Sequence, residues 1–239
     1  MALSKNTNKI VVAVDGYSSC GKSTIAKQLA QYAGYTYVDT GAMYRAVALY
    51  MSRSLDSLDH LQTLTQEQLL TLLQQINISF IHCSDSQHVC LNGEDVEKQV
   101  RTLEVGNMAS KVSAIPLVRE FLVAQQQKMG EEKGIVMDGR DIGTVVFPDA
   151  ELKLFMTASP EVRAQRRYQE LIDKGETPVF EDVLRDVEQR DYRDTHRDIS
   201  PLKQAPNAIV IDNSELTREQ QMQKVIEIFN ERIGARIIE

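Results

Sequence analysis

Gly16-Tyr17-Ser18-Ser19-Cys20-Gly21-Lys22-Ser23 fits G-x-x-x-x-G-K-[ST], the P-loop pattern, in which backbone N–H groups cradle phosphate oxygens and the lysine reaches the outer ones. With glycine at about 7% of ordinary composition, the pattern arises by chance on the order of once in a hundred chains of this length. Its surroundings narrow the reading. Ile10-Val11-Val12-Ala13-Val14 ahead of it is short, apolar and β-branched, as a buried parallel strand is. Lys22 to Ala33 is rich in helix formers and stops at Gly34, a residue suited to closing a helix in the left-handed conformation. Strand, loop and helix in that order place a nucleotide phosphate at a helix N-terminus.

The 239 residues suffice for one α/β domain with insertions. A hydrophobic fraction of 42% and a charged fraction of 26% are those of an ordinary soluble protein. The net charge of −7 argues against broad nucleic-acid or membrane-surface binding, because both partners are polyanions. No apolar run approaches the ~20 residues that span a bilayer. Met1 to Lys9 is polar and lacks the apolar core of a signal peptide. Cys20, Cys83 and Cys90 show no metal-ligand spacing; the last two could face each other across a hairpin, but a reduced pair in the cytoplasm is the expectation.

Along the chain, Tyr35 to Asp39 reads as a second strand, and Thr40 as the cap of a helix running to about Met51. Thr65-Gln66-Glu67-Gln68 resembles a capping box opening a helix from Gln66 to Gln75. Ile76 to Ile81 alternates apolar and polar, Ser84-Asp85-Ser86 is turn-rich, and His88 to Leu91 precedes the turn signal Asn92-Gly93. These predict a small antiparallel insert. Helices follow from Leu103 to about Ala114 and from Leu117 to Met129. Strands resume at Ile135 to Asp138, Leu152 to Met156 and Ala208 to Asp212, with a last helix from Arg218 to Arg232. Five short apolar strands separated mostly by helices predict an α/β fold, a five-stranded parallel sheet with helices on both faces.

Two further stretches carry charge suited to phosphate chemistry. Ile135 to Asp138 resembles a Walker B strand ending in an acid that positions Mg²⁺, and it runs straight into Arg140 and Asp141. Seven of the fifteen arginines lie between 163 and 197; Arg190, Arg193 and Arg197, spaced i, i+3 and i+7, are expected on one helix face. Lys174-Gly175-Glu176-Thr177-Pro178 is the expected turn in this arginine-rich helical lid, which would close over phosphates and exclude water.

Gly16–Thr24, Asp39-Thr40-Gly41-Ala42-Met43-Tyr44-Arg45, the block from Asp138 to Pro148 and Arg190-Asp191-x-Arg193-Asp194-x-x-Arg197 together resemble the bacterial cytidylate kinase family, over nearly the full length. The resemblance implies the P-loop nucleoside-monophosphate kinase fold as a single domain over 1–239. Within it, 52–105 would form a monophosphate-binding region with the β insert, and 163–197 the lid. It implies γ-phosphoryl transfer from ATP to CMP or dCMP by a cytoplasmic monomer with no nucleic-acid or membrane partner. ATP would lie on Gly16, Tyr17, Ser18, Ser19, Cys20, Gly21, Lys22, Ser23, Thr24 and Arg166, with Mg²⁺ held partly by Ser23. Thr40, Tyr44, Arg45 and Arg140 would surround the acceptor phosphate. Ser110, Arg119 and Asp141 would read cytosine, with Asp138 also on the substrate. Arg190 and Asp194 would reach the sugar, and Lys22, Arg140, Arg190 and Arg197 would carry catalysis. This chain departs from the family in two places: Tyr17-Ser18-Ser19-Cys20 stands where Pro-Ser-Gly-Ala is common, and Thr40 where Ser is frequent.

Elementary chemistry agrees with the resemblance. Cytosine offers an amino donor beside ring acceptors, which suits an Asp acceptor paired with an Arg donor; uracil reverses that pattern. A phosphate oxygen with a second pKa near ~6 is already an anionic nucleophile and needs no base. Two rivals remain at this point: a small-metabolite hydroxyl kinase with Asp39 as its base, and a non-catalytic nucleotide-binding switch. His60, His82, His88 and His196 carry no catalytic assignment, and Cys20 reads as a small filler of the loop.

Overall fold

A computed structural model of the chain describes residues 9–55, 63–83 and 86–234. The expected Ser84-Asp85 turn and His60 fall outside these residues, as does the His82 side chain. The chain divides into two compact units, one of residues 1–38 with 129–239 and one of residues 39–128.

The first unit is built on a five-stranded parallel sheet. Its strands are β1 (Val11–Gly16), β2 (Thr36–Asp39, whose last residue opens the second unit), β6 (Ile135–Gly139), β7 (Leu152–Thr157) and β8 (Ile209–Asp212). Their spatial order is β2-β6-β1-β7-β8. β1 and β6 are buried along their whole length, as their unbroken apolar runs require. Outer β8 exposes Val210. The register sets Asp15 of β1 beside Gly139 of β6 and Phe155 of β7. The carboxyl ends of β1 and β6 are thereby neighbours, where open α/β sheets bind ligands.

Helices α1 (Lys22–Ala33) and α9 (Arg218–Arg232) contribute Ile25, Ala26, Leu29, Val225 and Phe229 to a core shared with Val12, Val14, Leu152, Leu154 and Ile211. Each fully buried Val, Leu, Ile or Phe among them stabilises the fold by about 1.5–3 kcal/mol. Phe229 meets Tyr35 edge-on at 5.7 Å. Helices α7 (Pro160–Asp173) and α8 (Phe180–His196) form a hairpin with a small core of its own, Ala164, Val183 and Val187 with Tyr168, Leu171, Phe180 and Leu184 around them.

The second unit holds α2 (Thr40–Ser54), α3 (Gln66–Gln74), strands β3 (Ile78–Cys83), β4 (Ser86–Leu91) and β5 (Glu94–Asp95), and helices α4 (Glu97–Val100), α5 (Leu103–Val112) and α6 (Pro116–Met129). The capping box at Thr65 and Gln68 forms as its sequence predicts. β3, β4 and β5 make the antiparallel insert. β3 starts at Ile78 rather than Ile76, because the Ile76 amide donates to Leu73 O and closes α3. The α2 cap is Asp39 rather than Thr40: the Asp39 carboxylate accepts from the Ala42 amide at 2.9 Å. Cys83 and Cys90 do not face each other across the hairpin. Cys83 pairs with Ser86 and Cys90 with Ser79, and all three cysteines are thiols.

Candidate active site

The loop leaving β1 is held by backbone conformation and by its neighbours. Gly16 has φ +154°, and a Cβ there would sit 2.1 Å from Met156 O. Gly21 takes the left-handed conformation, φ +83°, that turns the loop into α1. Between them the buried Cys20 thiol donates to Tyr17 O at 2.9 Å, which fills the loop interior as its small side chain suggests. Lys22 Nζ donates to the same carbonyl at 3.1 Å. Burial, with the charges of Arg140 and Arg190 and against those of Cys20 and Asp138, lowers the Lys22 pKa to about 8.

Asp138 and Ser23 meet at the carboxyl end of β6. Ser23 Oγ donates to Asp138 Oδ2 at 2.7 Å, and Tyr37 Oη donates to Asp138 Oδ1 at 2.8 Å. A hydroxyl at the head of α1 and a buried carboxylate on the adjacent strand form an oxygen-only donor pair.

Beyond Gly139 the chain makes one π-helical turn, Ile142–Val146, which no local pattern announces. Asp15, at the end of β1, fixes it by accepting from the Ile142 and Gly143 amides at 2.8 and 2.7 Å. Burial raises the Asp15 pKa to about 6, although those two amides and Arg140 lower it; Asp141 adds to the rise. The turn presents Arg140 and Asp141. Arg140 Nε donates to Asp194 of α8 at 2.8 Å. Burial resists the charge on Arg140, but the Asp194 carboxylate outweighs it and holds the guanidinium pKa up. Asp194 is likewise held below its usual range: burial opposes this, and Arg140, Arg190 and Arg197 overcome it.

The arginines of α7 and α8 do different things. Arg166 gives its fork to Asn213, Nη1 to Oδ1 and Nη2 to O, each at 2.9 Å. Asn213 in turn donates to Cys20 O at 2.7 Å, so Arg166 braces the loop through Asn213. Arg163 pairs with Asp191 and lies 5.0 Å above the Tyr17 ring, which also meets Phe155 edge-on at 5.9 Å. Arg193 turns outward, its Nε donating to Gln189 O. Arg197 does not share the helix face expected of it. α8 ends at His196; Arg197 is extended and donates to Ser200 O at 2.7 Å, and the Leu202 amide folds back on Asp194 O. Arg197 Nη2 stands 3.9 Å from Asp141 Oδ1, so the hairpin and the π-helical turn share one charged network.

In the second unit Asp39, Thr40, Tyr44 and Arg45 occupy the first turns of α2. Asp39 pairs with Arg101 at 2.9 Å. Burial works to raise the Asp39 pKa, but Arg101, then Arg45, then the Ala42 amide hold it below its usual value. Buried Arg119 of α6 lies over the Tyr44 ring at 5.6 Å and donates to Ser113 O at 3.2 Å. Ser110 sits on α5. Thr40, Tyr44, Arg45, Ser110 and Arg119 thus fall in the second unit, and the remaining expected site residues in the first.

A model of the cytidylate kinase family matches residues 12–231. The chain belongs to that family. It is 55% identical over 226 residues to the cytidylate kinase of Flavobacterium johnsoniae, spanning 93% of this chain and 97% of that one. Against the cytidylate kinases of Bacteroides thetaiotaomicron and Bacteroides fragilis it is 52% and 51% identical over 224 and 229 residues, spanning 92% and 95% of this chain and 96% and 99% of theirs.

Several residues at the candidate site of this cytidylate kinase family member stand outside the set expected from its sequence. Asp15 and Asn213 each follow an apolar strand, the same signal that marks Asp138, and were findable by it. Asp191 and Arg101 carry no such signal, because Arg101 meets its partner across 62 residues of chain.

Proposed function

We infer that this chain is a cytidylate kinase that transfers the γ-phosphoryl of ATP to CMP or dCMP, giving ADP and CDP or dCDP. The observation that carries the reading is the family match across residues 12–231, which spans the P-loop and both charged stretches. In this reading the amides and side chains of Gly16 to Thr24 hold the ATP phosphates, with Lys22 on the outer oxygens and Arg166 bracing the loop. Thr40, Tyr44, Arg45 and Arg140 bind the acceptor phosphate, Ser110, Arg119 and Asp141 read cytosine, and Arg190 and Asp194 reach the sugar. Residues 52–105 form the monophosphate-binding region, and 163–197 close as a lid within one kinase domain.

An oxygen of the CMP phosphate attacks the γ-phosphorus, the bridging P–O bond breaks, and its electron pair leaves with ADP. The attacking oxygen is already anionic, so the chain supplies alignment and charge rather than a base. Arg140, Arg190 and Arg197 stabilise the negative charge spread over the moving group. The Ser23 hydroxyl and Asp138 carboxylate, 2.7 Å apart, fit the preference of Mg²⁺ for hard oxygen donors and retained water. Held there by Ser23 and Asp138 with the ATP phosphates, Mg²⁺ would supply positive charge against the transferring phosphates.

The hydroxyl-kinase rival needs Asp39 as a base, and Asp39 is a helix cap whose basicity two arginines depress. A nucleotide switch needs no second set of arginines. In this reading the working unit is a monomer. Among the described residues no helix is long and apolar enough to cross a membrane, and a cytoplasmic location accords with three unbridged thiols. A coupled ADP-release assay with Mg²⁺-ATP against CMP, dCMP, UMP, AMP and shikimate tests the reading. Fast release with CMP and dCMP is expected; release indifferent to every monophosphate defeats it.

A further inference from the structure

The β insert carries a cluster that the phosphoryl-transfer reading does not use. Cys83, His88 and Asp95 come one each from β3, β4 and β5, and one ligand-type atom from each lies within 4.8 Å of the other two. The register explains how. His88 pairs with Ile81, so Cys83, two residues beyond Ile81, shares the face of His88. Cys90 lies on that face too, and Asp95 pairs with Cys90. Strand alternation therefore turns three residues without any recognisable ligand spacing onto one side of a three-stranded sheet.

Their local geometry is organised. The His88 ring Nδ1 and Asp95 Oδ2 are 2.7 Å apart, and Asp95 Oδ1 accepts from the Glu97 amide at 3.0 Å. This second bond fixes the carboxylate as an outer-shell partner does in metal sites. His88 and Cys83 are each partly buried, shielded enough to limit competing water and open enough for an ion to enter.

We propose that Cys83, His88 and Asp95 form a divalent transition-metal site of the zinc type, with water as the fourth ligand. One sulfur, one imidazole nitrogen and one carboxylate oxygen make a borderline-soft donor set, suited to Zn²⁺ and poorly suited to Mg²⁺ or Ca²⁺. At Zn–ligand distances of about 2.0–2.3 Å, tetrahedral ligand atoms stand roughly 3.5 Å apart. Side-chain movements of about 1 Å, which open the 2.7 Å His88–Asp95 contact and bring Cys83 closer, would fit the cluster to an ion. On binding, the Cys83 S–H bond breaks, its proton passes to solvent and the thiolate ligates; the imidazole ligates in its neutral form. The ion would clamp β5, a two-residue edge strand, to β3 and β4.

The test is a Co²⁺ titration of the chelator-stripped full chain, watching for the thiolate-to-cobalt charge-transfer band. One equivalent should develop the band, and Zn²⁺ should bleach it. Cys83→Ser should abolish it, whereas Cys20→Ser and Cys90→Ser should keep it. His88→Ala should weaken binding by more than the ~10–100-fold typical of outer-shell losses. In the unmutated chain, Zn²⁺ should slow alkylation of Cys83, read by peptide mass spectrometry, so the test does not depend on any variant folding. No band in the unmutated chain, a band that survives Cys83→Ser, or Cys83 alkylation indifferent to Zn²⁺ overturns the proposal.

Discussion

Arg163 and Asp191 face each other fork to fork, Nη1 to Oδ1 at 2.9 Å and Nη2 to Oδ2 at 2.6 Å. The same guanidinium covers the Tyr17 ring and donates through Nε to Ala158 O. One arginine thus joins α7 to α8 and roofs the start of the P-loop. Tyr17, which departs from the family's common Pro, is the aromatic surface that this contact uses.

Asp191→Ala leaves an almost wholly buried guanidinium, 3% exposed, without its counter-charge. Removing one member of a buried pair costs about 3–5 kcal/mol, and the partial exposure of Asp191 places the expectation near ~3. Urea unfolding should show that loss, and adding Arg163→Met should restore part of it. An unchanged midpoint for Asp191→Ala would mean the pair holds nothing.

Lys22 titrates low because burial and two neighbouring arginines oppose its charge, bringing its pKa to about 8. Above pH 8 the folded chain holds fewer protons than the unfolded chain, so this group adds stability as pH rises from about 8 towards the free-lysine value of 10.5. Binding runs the other way, since triphosphate needs the ammonium. The kcat/KM for ATP, which reports the free enzyme, should fall as pH rises through about 8. Lys22→Arg should lose that limb, because guanidinium stays charged. A limb unchanged in Lys22→Arg assigns the titration elsewhere.

Asp39 discriminates between the two kinase readings. Asn is as good a helix cap as Asp, so Asp39→Asn keeps the Ala42 bond and loses the charge interactions with Arg101, 39% exposed, and with Arg45. The expected effect is a modest stability loss and a kcat within ~10-fold of the unmutated chain. A general base contributes about 10²–10⁴-fold. Steady-state kinetics showing a fall of that size would restore the hydroxyl-kinase reading.

What the sequence discloses follows the range of the interactions. The P-loop, Asp138, the capping box at Thr65 and the last helix are announced by patterns only a few residues long, and the structure forms all of them. The Arg163–Asp191 pair, the Asp15 clamp on the π-helical turn and the Cys83–His88–Asp95 cluster depend on register and helix docking, which no local pattern encodes. Arg197 was misplaced for a nearer reason. The i, i+7 spacing holds only while the helix continues, and the backbone turns extended at Arg197, one residue past the last helical position.

Ser19 sits in the left-handed region at φ +57°, where the family commonly has glycine. That conformation costs an L-residue about 1–2 kcal/mol. Ser19→Gly relieves it, although glycine's extra freedom in the unfolded chain returns part of the gain. The expected net effect is between zero and about 1 kcal/mol of stabilisation, with the ATP KM unchanged. Ser19→Val should cost about 1–3 kcal/mol, since a β-branched residue tolerates this region least. The Val variant should also raise the ATP KM, because in the proposed function the backbone at Ser19 orients amides that hold phosphate. Paired urea curves and ATP kinetics decide it: if Val and Gly behave alike, the loop relaxes around position 19 and the strain at Ser19 has no part in shaping the phosphate cradle.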